Sequence, residues 1–156
     1  MRYIISIQNT IENDSAIPSS SSLRQWAHFV LSKKIKKAEI CIRIVSTQES
    51  KELNCRYRQK DYPTNVLSFS CELPQGIKLA TPYLGDIILC ADVIKQEAEE
   101  QEKSLEAHWA HMVIHGTLHL LGYDHIKEHE ANEMEKLETD LLSQLSYPPP
   151  YGDLNE

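Results

Sequence analysis

No run of apolar residues in this sequence approaches the ~18 that a membrane-spanning helix needs, so a helical integral membrane protein is excluded. The opening MRYIISIQNT has too short an apolar stretch for a secretory signal and no small-residue cleavage site, so none is expected. Cysteine is sparse and scattered. Cys41, Cys55, Cys71 and Cys90 form no C-x-x-C pair and no short spacing, which argues against both a disulfide framework and a cysteine zinc site and suits a reducing compartment. Internal repeats are lacking, as is any linker long enough to separate domains. The expectation is one cytoplasmic domain spanning 1–156, with 147–156 as a short C-terminal tail. What remains is ordinary globular material: 41% hydrophobic and 25% charged residues in a chain of 156, enough to bury a sizeable core.

The formal net charge of −7 argues, on its face, against a nucleic-acid partner. It is unevenly spread. Residues 1–91 carry twelve basic and eight acidic side chains, whereas 92–156 carry four basic and fifteen acidic. A basic face on an acidic body is compatible with that split, as is a set of plainly solvated acidic helices, so net charge does not decide the partner.

Apolar periodicity predicts strands over 3–8, 39–45, 66–71 and 84–90. Helices are expected over about 23–36, 46–58, 91–101, 104–121 and 127–145. Ser46-Thr47-Gln48-Glu49 has the form of a capping box and marks one helix start. The cluster Lys33, Lys34, Lys36, Lys37 suits the negative end of a helix dipole and also suits phosphate. Asp61-Tyr62-Pro63-Thr64 and Pro74-Gln75-Gly76 read as turns. Strands alternating with helices early and helices alone late give an α+β (mixed α/β) fold, a small mixed four-stranded sheet packed with about five helices.

The unusual feature is histidine. Five of the seven fall between 108 and 125: His108, His111, His115, His119 and His125. On a helix, His115 and His119 lie about 40° apart around the axis and about 6 Å apart along it, so one ion can bind both. Gly122 is a natural stop, and the chain reversal it permits can swing His125 towards the same ion. Three imidazoles leave a fourth position open for water, the catalytic rather than the structural pattern, and zinc would bring the pKa of that water to about 7. In an H-E-x-x-H peptidase helix the glutamate after the first histidine is the general base; here that position is Gly116. Asp124 beside the third histidine suits a supporting or turn role. His108 and His111 share the face of His115; they read as a second ligand pair, a substrate-facing stripe or satisfied partners near the core.

HGTLHLLGYDH over 115–125 resembles the signature of the YbeY family of rRNA maturation factors, metal-dependent endoribonucleases. Tyr57-Arg58-Gln59-Lys60-Asp61-Tyr62-Pro63-Thr64-Asn65-Val66-Leu67-Ser68-Phe69 and Leu84-Gly85-Asp86-Ile87 match further segments in order and spacing. The likeness runs from about 38 to 140. Asn65 stands where aspartate is common, and Ser70-Cys71 follows Phe69 where proline is usual. The resemblance implies one zinc ion (Zn2+) per chain on His115, His119 and His125, and a functional role for Arg58. It also implies cleavage of single-stranded RNA in small-subunit rRNA maturation and ribosome quality control, with the small ribosomal subunit and its assembly proteins as partners and neither membrane nor DNA expected. Arg58 suits this independently, because a guanidinium fork matches phosphate oxygens and stays charged as negative charge builds in the transition state.

Two other readings stand beside it. A zinc peptidase predicts peptide turnover despite Gly116. A non-catalytic ribosome-assembly factor with a structural metal predicts a fourth protein ligand, with Asp124 the nearest candidate. Three imidazoles also suit nickel, copper or iron. The attacking group can be metal-activated water or a ribose 2′-hydroxyl.

Overall fold

A computed structural model of the chain describes residues 2–11, 16–71, 81–123 and 128–151. Its elements run in the order β1 (Arg2–Asn9), α1 (Ser20–Lys34), β2 (Lys37–Val45), α2 (Thr47–Arg58), β3 (Val66–Ser70), β4 (Tyr83–Cys90), α3 (Ala91–Glu100), α4 (Leu105–Leu120) and α5 (Glu128–Gln144). Four strands form one sheet in the order β1-β2-β4-β3, with β1, β2 and β4 parallel and β3 antiparallel to β4. This is the mixed four-stranded sheet with five helices that the periodicity predicts. No helix among the described residues is long and apolar enough to cross a membrane.

The helix boundaries follow local chemistry. The serine run before α1 is not all loop. Ser19 caps the helix by accepting from the Ser22 N–H at 3.1 Å, so α1 begins three residues earlier than the apolar face suggests. It ends at Lys34 because Ile35 is extended and the chain enters β2 at Lys37. Ser46 caps α2 by accepting from the Glu49 N–H at 3.2 Å, while the Glu49 carboxylate turns to Arg43 at 2.9 Å. The connection containing Pro74-Gln75-Gly76 lies outside the described residues.

In β2, Ile40, Ile42 and Ile44 are buried on one face; in β4, Ile87 through Cys90 are buried consecutively, as a central strand covered on both sides must be. The larger core lies on the face of Ile40, Ile42, Ile44, Ile87 and Leu89, under α1, α4 and α5. A smaller cluster of Val45, Leu67, Ile88 and Cys90, with Leu53 of α2 against it, lies on the other.

The helix that positions the site is α4. It packs against α1, α3, α5, β3 and β4 and is buried nearly all round, the signature of a central rather than a surface helix. Gly116 lets it lie tight on the sheet: a Cβ there would sit 2.7 Å from Cγ2 of Ile87 and 3.2 Å from the Ser68 hydroxyl. The end of α4 is a Schellman turn. Gly122 takes φ +103°, Tyr123 N–H donates to the Leu118 carbonyl and Gly122 N–H to the His119 carbonyl, both at 3.0 Å. The glycine reversal expected from sequence is therefore present.

Candidate metal centre and phosphate cleft

The last two turns of α4 bring His115 and His119 together. Their rings meet edge to face, 4.6 Å between centroids, and the two Nε2 atoms face each other at 3.1 Å. Two nitrogens holding one tetrahedral zinc at 2.0–2.1 Å are separated by roughly 3.3–3.4 Å, so the pair fits an ion with little adjustment. Nδ1 of His115 is hydrogen-bonded to Oε1 of Glu138 on α5. Facing a carboxylate, that nitrogen must be the donor, which directs the ring's other nitrogen toward His119. A carboxylate behind an imidazole in this way fixes the tautomer and orientation of a metal-binding histidine.

Glu138 is fully buried. Besides His115 it accepts from Nε2 of His111 at 3.2 Å and from the Tyr151 hydroxyl. Burial pushes its carboxyl pKa up, but the hydrogen bonds and charge of His111 and His115 outweigh that and hold it at about 2. The interior acid therefore stays ionised. His111, His115 and Glu138 present ligand atoms within 4.8 Å of one another and can themselves hold a metal ion. Each already satisfies another through a hydrogen bond.

One turn towards the N-terminus of α4, Nε2 of His108 lies 2.9 Å from Oε1 of Glu97 on α3, and the Asn65 side-chain amide donates to both oxygens of Glu97 at 2.9 and 3.2 Å. Desolvation raises the Glu97 pKa, yet the hydrogen bonds from His108 and Asn65 prevail and leave it below the usual carboxylate range. Asn65 also accepts from the Val66 N–H at 2.6 Å, tying the start of β3 to α3. Nε2 of His108 and of His111 is thus tied to an acid near the core, while Nδ1 of each is buried without a hydrogen-bond partner among the described residues, and His111 also belongs to the group that can hold an ion.

His115 and His119 form one wall of an open cleft of about 510 Å³ whose other wall carries Arg58, Lys60, Tyr62 and β3. The guanidinium of Arg58 donates to the Ser68 carbonyl at 3.3 Å, and the Ser68 hydroxyl donates to the Gly116 carbonyl at 3.1 Å. Ser68 thus links the arginine to the turn of α4 that carries both histidines. The loop after α2 is pinned from beneath: Asn54 donates to the Tyr62 carbonyl at 2.8 Å, and the Ser50 hydroxyl both donates to the Thr64 carbonyl (2.9 Å) and accepts from the Thr64 N–H (3.0 Å). Gln59 takes the left-handed conformation, φ +56°, that ends α2 and starts this loop.

A model of the family described as "Endoribonuclease YbeY" matches residues 6–146. The chain belongs to the YbeY family. Two relatives named Endoribonuclease YbeY, from two strains of Pseudomonas putida, are each 53% identical over 140 residues, covering 90% of this chain and 88% of the relative. The solution structure of TM1509 from Thermotoga maritima covers 92% of both chains at 25% identity with a TM-score of 0.58, the same α+β architecture. YbeY membership places the chain among endoribonucleases, hydrolases that act on RNA.

Of the expected site residues, the structure joins His115 and His119 directly and sets Arg58 in the same cleft. His125 and Asp124 lie outside the described residues. Glu138, Ser68 and Tyr151 are not among the site residues expected from the sequence, although Ser68 falls in one of the matching segments. Glu138 did leave a trace: it falls four residues after Met134 and three before Leu141, on the buried stripe of α5, where an acid needs partners. The Cβ clearance at 116 also bears on the peptidase reading, since a glutamate there would be driven into Ile87.

Proposed function

We propose that this chain is a zinc-dependent, single-strand-specific endoribonuclease. In this reading one ion per chain is held by His115, His119 and His125, and Arg58 binds the scissile phosphate. The observation that carries the reading is the facing pair of Nε2 atoms, 3.1 Å apart, on the wall of a cleft shared with Arg58 and Lys60. Zinc bound there supplies Lewis-acid polarisation and an acidified water.

The protein's own groups do the rest. Glu138 holds the His115 ring in one tautomer and one orientation. Arg58, steered by the Ser68 carbonyl, offers a charged fork to phosphate oxygens as negative charge develops on them. Lys60 adds a second cation on the same wall. Tyr62, 53% exposed in the cleft, presents a ring on which an unpaired base can stack, which favours a single strand over a duplex.

The same reading takes rRNA of the small subunit as substrate, met in the cytoplasm in company with the subunit and its assembly proteins. A chain of net charge −7 gains from a partner that presents the RNA. It treats 1–156 as one domain. A second reading draws on the largely buried His111, His115 and Glu138 group: an ion there, closed by a fourth protein ligand, would be structural and the protein a non-catalytic assembly factor.

The test is cleavage of a single-stranded RNA oligonucleotide by purified protein beside His119→Ala and His111→Ala prepared identically, with the zinc content of each measured. The proposal expects His119→Ala to lose both zinc and cleavage while keeping its circular dichroism spectrum. Retention of zinc in His119→Ala and its loss in His111→Ala would transfer the ion to the buried group.

A further inference from the structure

Residues 147–151, the described part of the expected C-terminal tail, pack beside the candidate site. Beyond α5 the chain folds back over α4. Lys103 donates to the Pro150 carbonyl, Pro150 is buried, and Pro148, Pro149 and Pro150 line a small cavity with His108 and His111. The Tyr151 ring then meets the His111 ring edge to face, 5.3 Å between centroids at 85°, and its hydroxyl donates to Oε2 of Glu138. Glu138 uses its other oxygen, Oε1, on His115.

We propose that Tyr151 is a positioning residue for the metal centre. By donating to Oε2 of Glu138 and covering it, Tyr151 fixes the carboxylate so that Oε1 holds the His115 ring with Nε2 turned to His119. The inference rests on the metal reading above and extends it by one residue outward. Three donors converge on Glu138, from His111, His115 and Tyr151; the tyrosine is the one that comes from outside the α4–α5 pair, and it arrives on a strap anchored at Lys103. Burial and the nearby Glu138 charge both raise the pKa of the Tyr151 hydroxyl, so it remains a donor. Tyr151 touches neither ion nor substrate and acts only through Glu138.

The experiment is zinc affinity of the full chain, measured by competition with a chromophoric chelator, for the parent, Tyr151→Phe, Lys103→Ala and His119→Ala. Tyr151→Phe keeps the ring against His111 and removes only the hydroxyl. It is expected to weaken zinc binding about three- to tenfold, less than the roughly 10–100-fold seen when a direct outer partner of a metal ligand is lost, because Tyr151 stands one group further out. Lys103→Ala loosens the strap without touching the carboxylate and is expected to weaken binding in the same direction by less, which keeps the test open if Tyr151→Phe folds poorly. A residue that merely packs would lower the melting temperature and leave the dissociation constant where it was. Parent-like affinity in both variants, with His119→Ala deficient, would overturn the role of Tyr151 and leave the metal reading intact. Parent-like affinity in His119→Ala would overturn both.

Discussion

His108 and His111 occupy the first half of α4 and His115 and His119 the second, one residue type on one side of one helix. The first two have side chains 3% and 7% exposed and each is tied through Nε2 to an acid, Glu97 or Glu138. At the other end His115 is 19% exposed, and its Nε2 faces another imidazole at the wall of a cleft. Glu138 joins the halves, serving His111 with one oxygen and His115 with the other. In the proposed reading, what separates the supporting histidines from the metal-binding pair is neither residue type nor spacing. It is which ring atom meets the carboxylate and whether the remaining nitrogen opens to solvent space.

Removing the shared acid should harm both halves most. Glu138→Leu strips three donors of their acceptor, and a loss of about 3–5 kcal/mol of stability is expected by chemical denaturation. A smaller loss should follow from acid alone. The folded pKa of Glu138 is held at about 2, below its ordinary 4.5, so its contribution is full above about pH 4.5 and disappears as pH falls towards 2. His111 acts in the same sense from higher pH: burial lowers its pKa below the ordinary 6.5 despite Glu138, so folding loses ground once the unfolded histidine protonates. Denaturation midpoints at pH 7, 4 and 3 should decline in the parent, and the decline below pH 4.5 should be shallower in Glu138→Gln.

The first half alone is tested by His108→Leu. It leaves Glu97 with Asn65 but without the imidazole, and about 1–3 kcal/mol of stability should be lost while the folded fraction cleaves RNA at the parent rate. A cleavage defect beyond the loss of folded protein would break the division between the halves. The smallest effect is expected of Gly116→Ala. The added methyl overlaps Ile87, at about 1–3 kcal/mol, offset by roughly 1 kcal/mol of helix propensity, so a net destabilisation of at most about 2 kcal/mol should appear as a lower melting temperature.

Much of this arrangement is legible in the sequence because it is local. The i, i+4 spacing of His115 and His119 needs only helix geometry, the reversal at Gly122 only the backbone freedom of glycine, and the start of α2 only the Ser46 cap. Strand order is not local: β4 enters between β2 and β3, and nothing in the run of Ile87 to Cys90 names its neighbours. The supporting groups are hidden for the same reason. Glu138 is nineteen residues beyond His119 and on another helix, and Tyr151 follows a proline run that reads as a stop rather than as a strap. Ser50 and Asn54 look like ordinary polar helix residues until the loop they pin is in view. Arg58 could be nominated from charge chemistry, but its link through Ser68 to Gly116 depends on β3 lying against α4.

The most direct test sets the two halves against each other in one assay: cleavage of a single-stranded RNA by His119→Ala and His108→Leu, prepared alongside the parent and corrected for folded protein. The account predicts a loss of more than roughly 100-fold in His119→Ala, since even outer partners of a metal ligand cost 10–100-fold, and a parent-like rate in His108→Leu. Equal rates in all three, or a loss confined to His108→Leu, would contradict it.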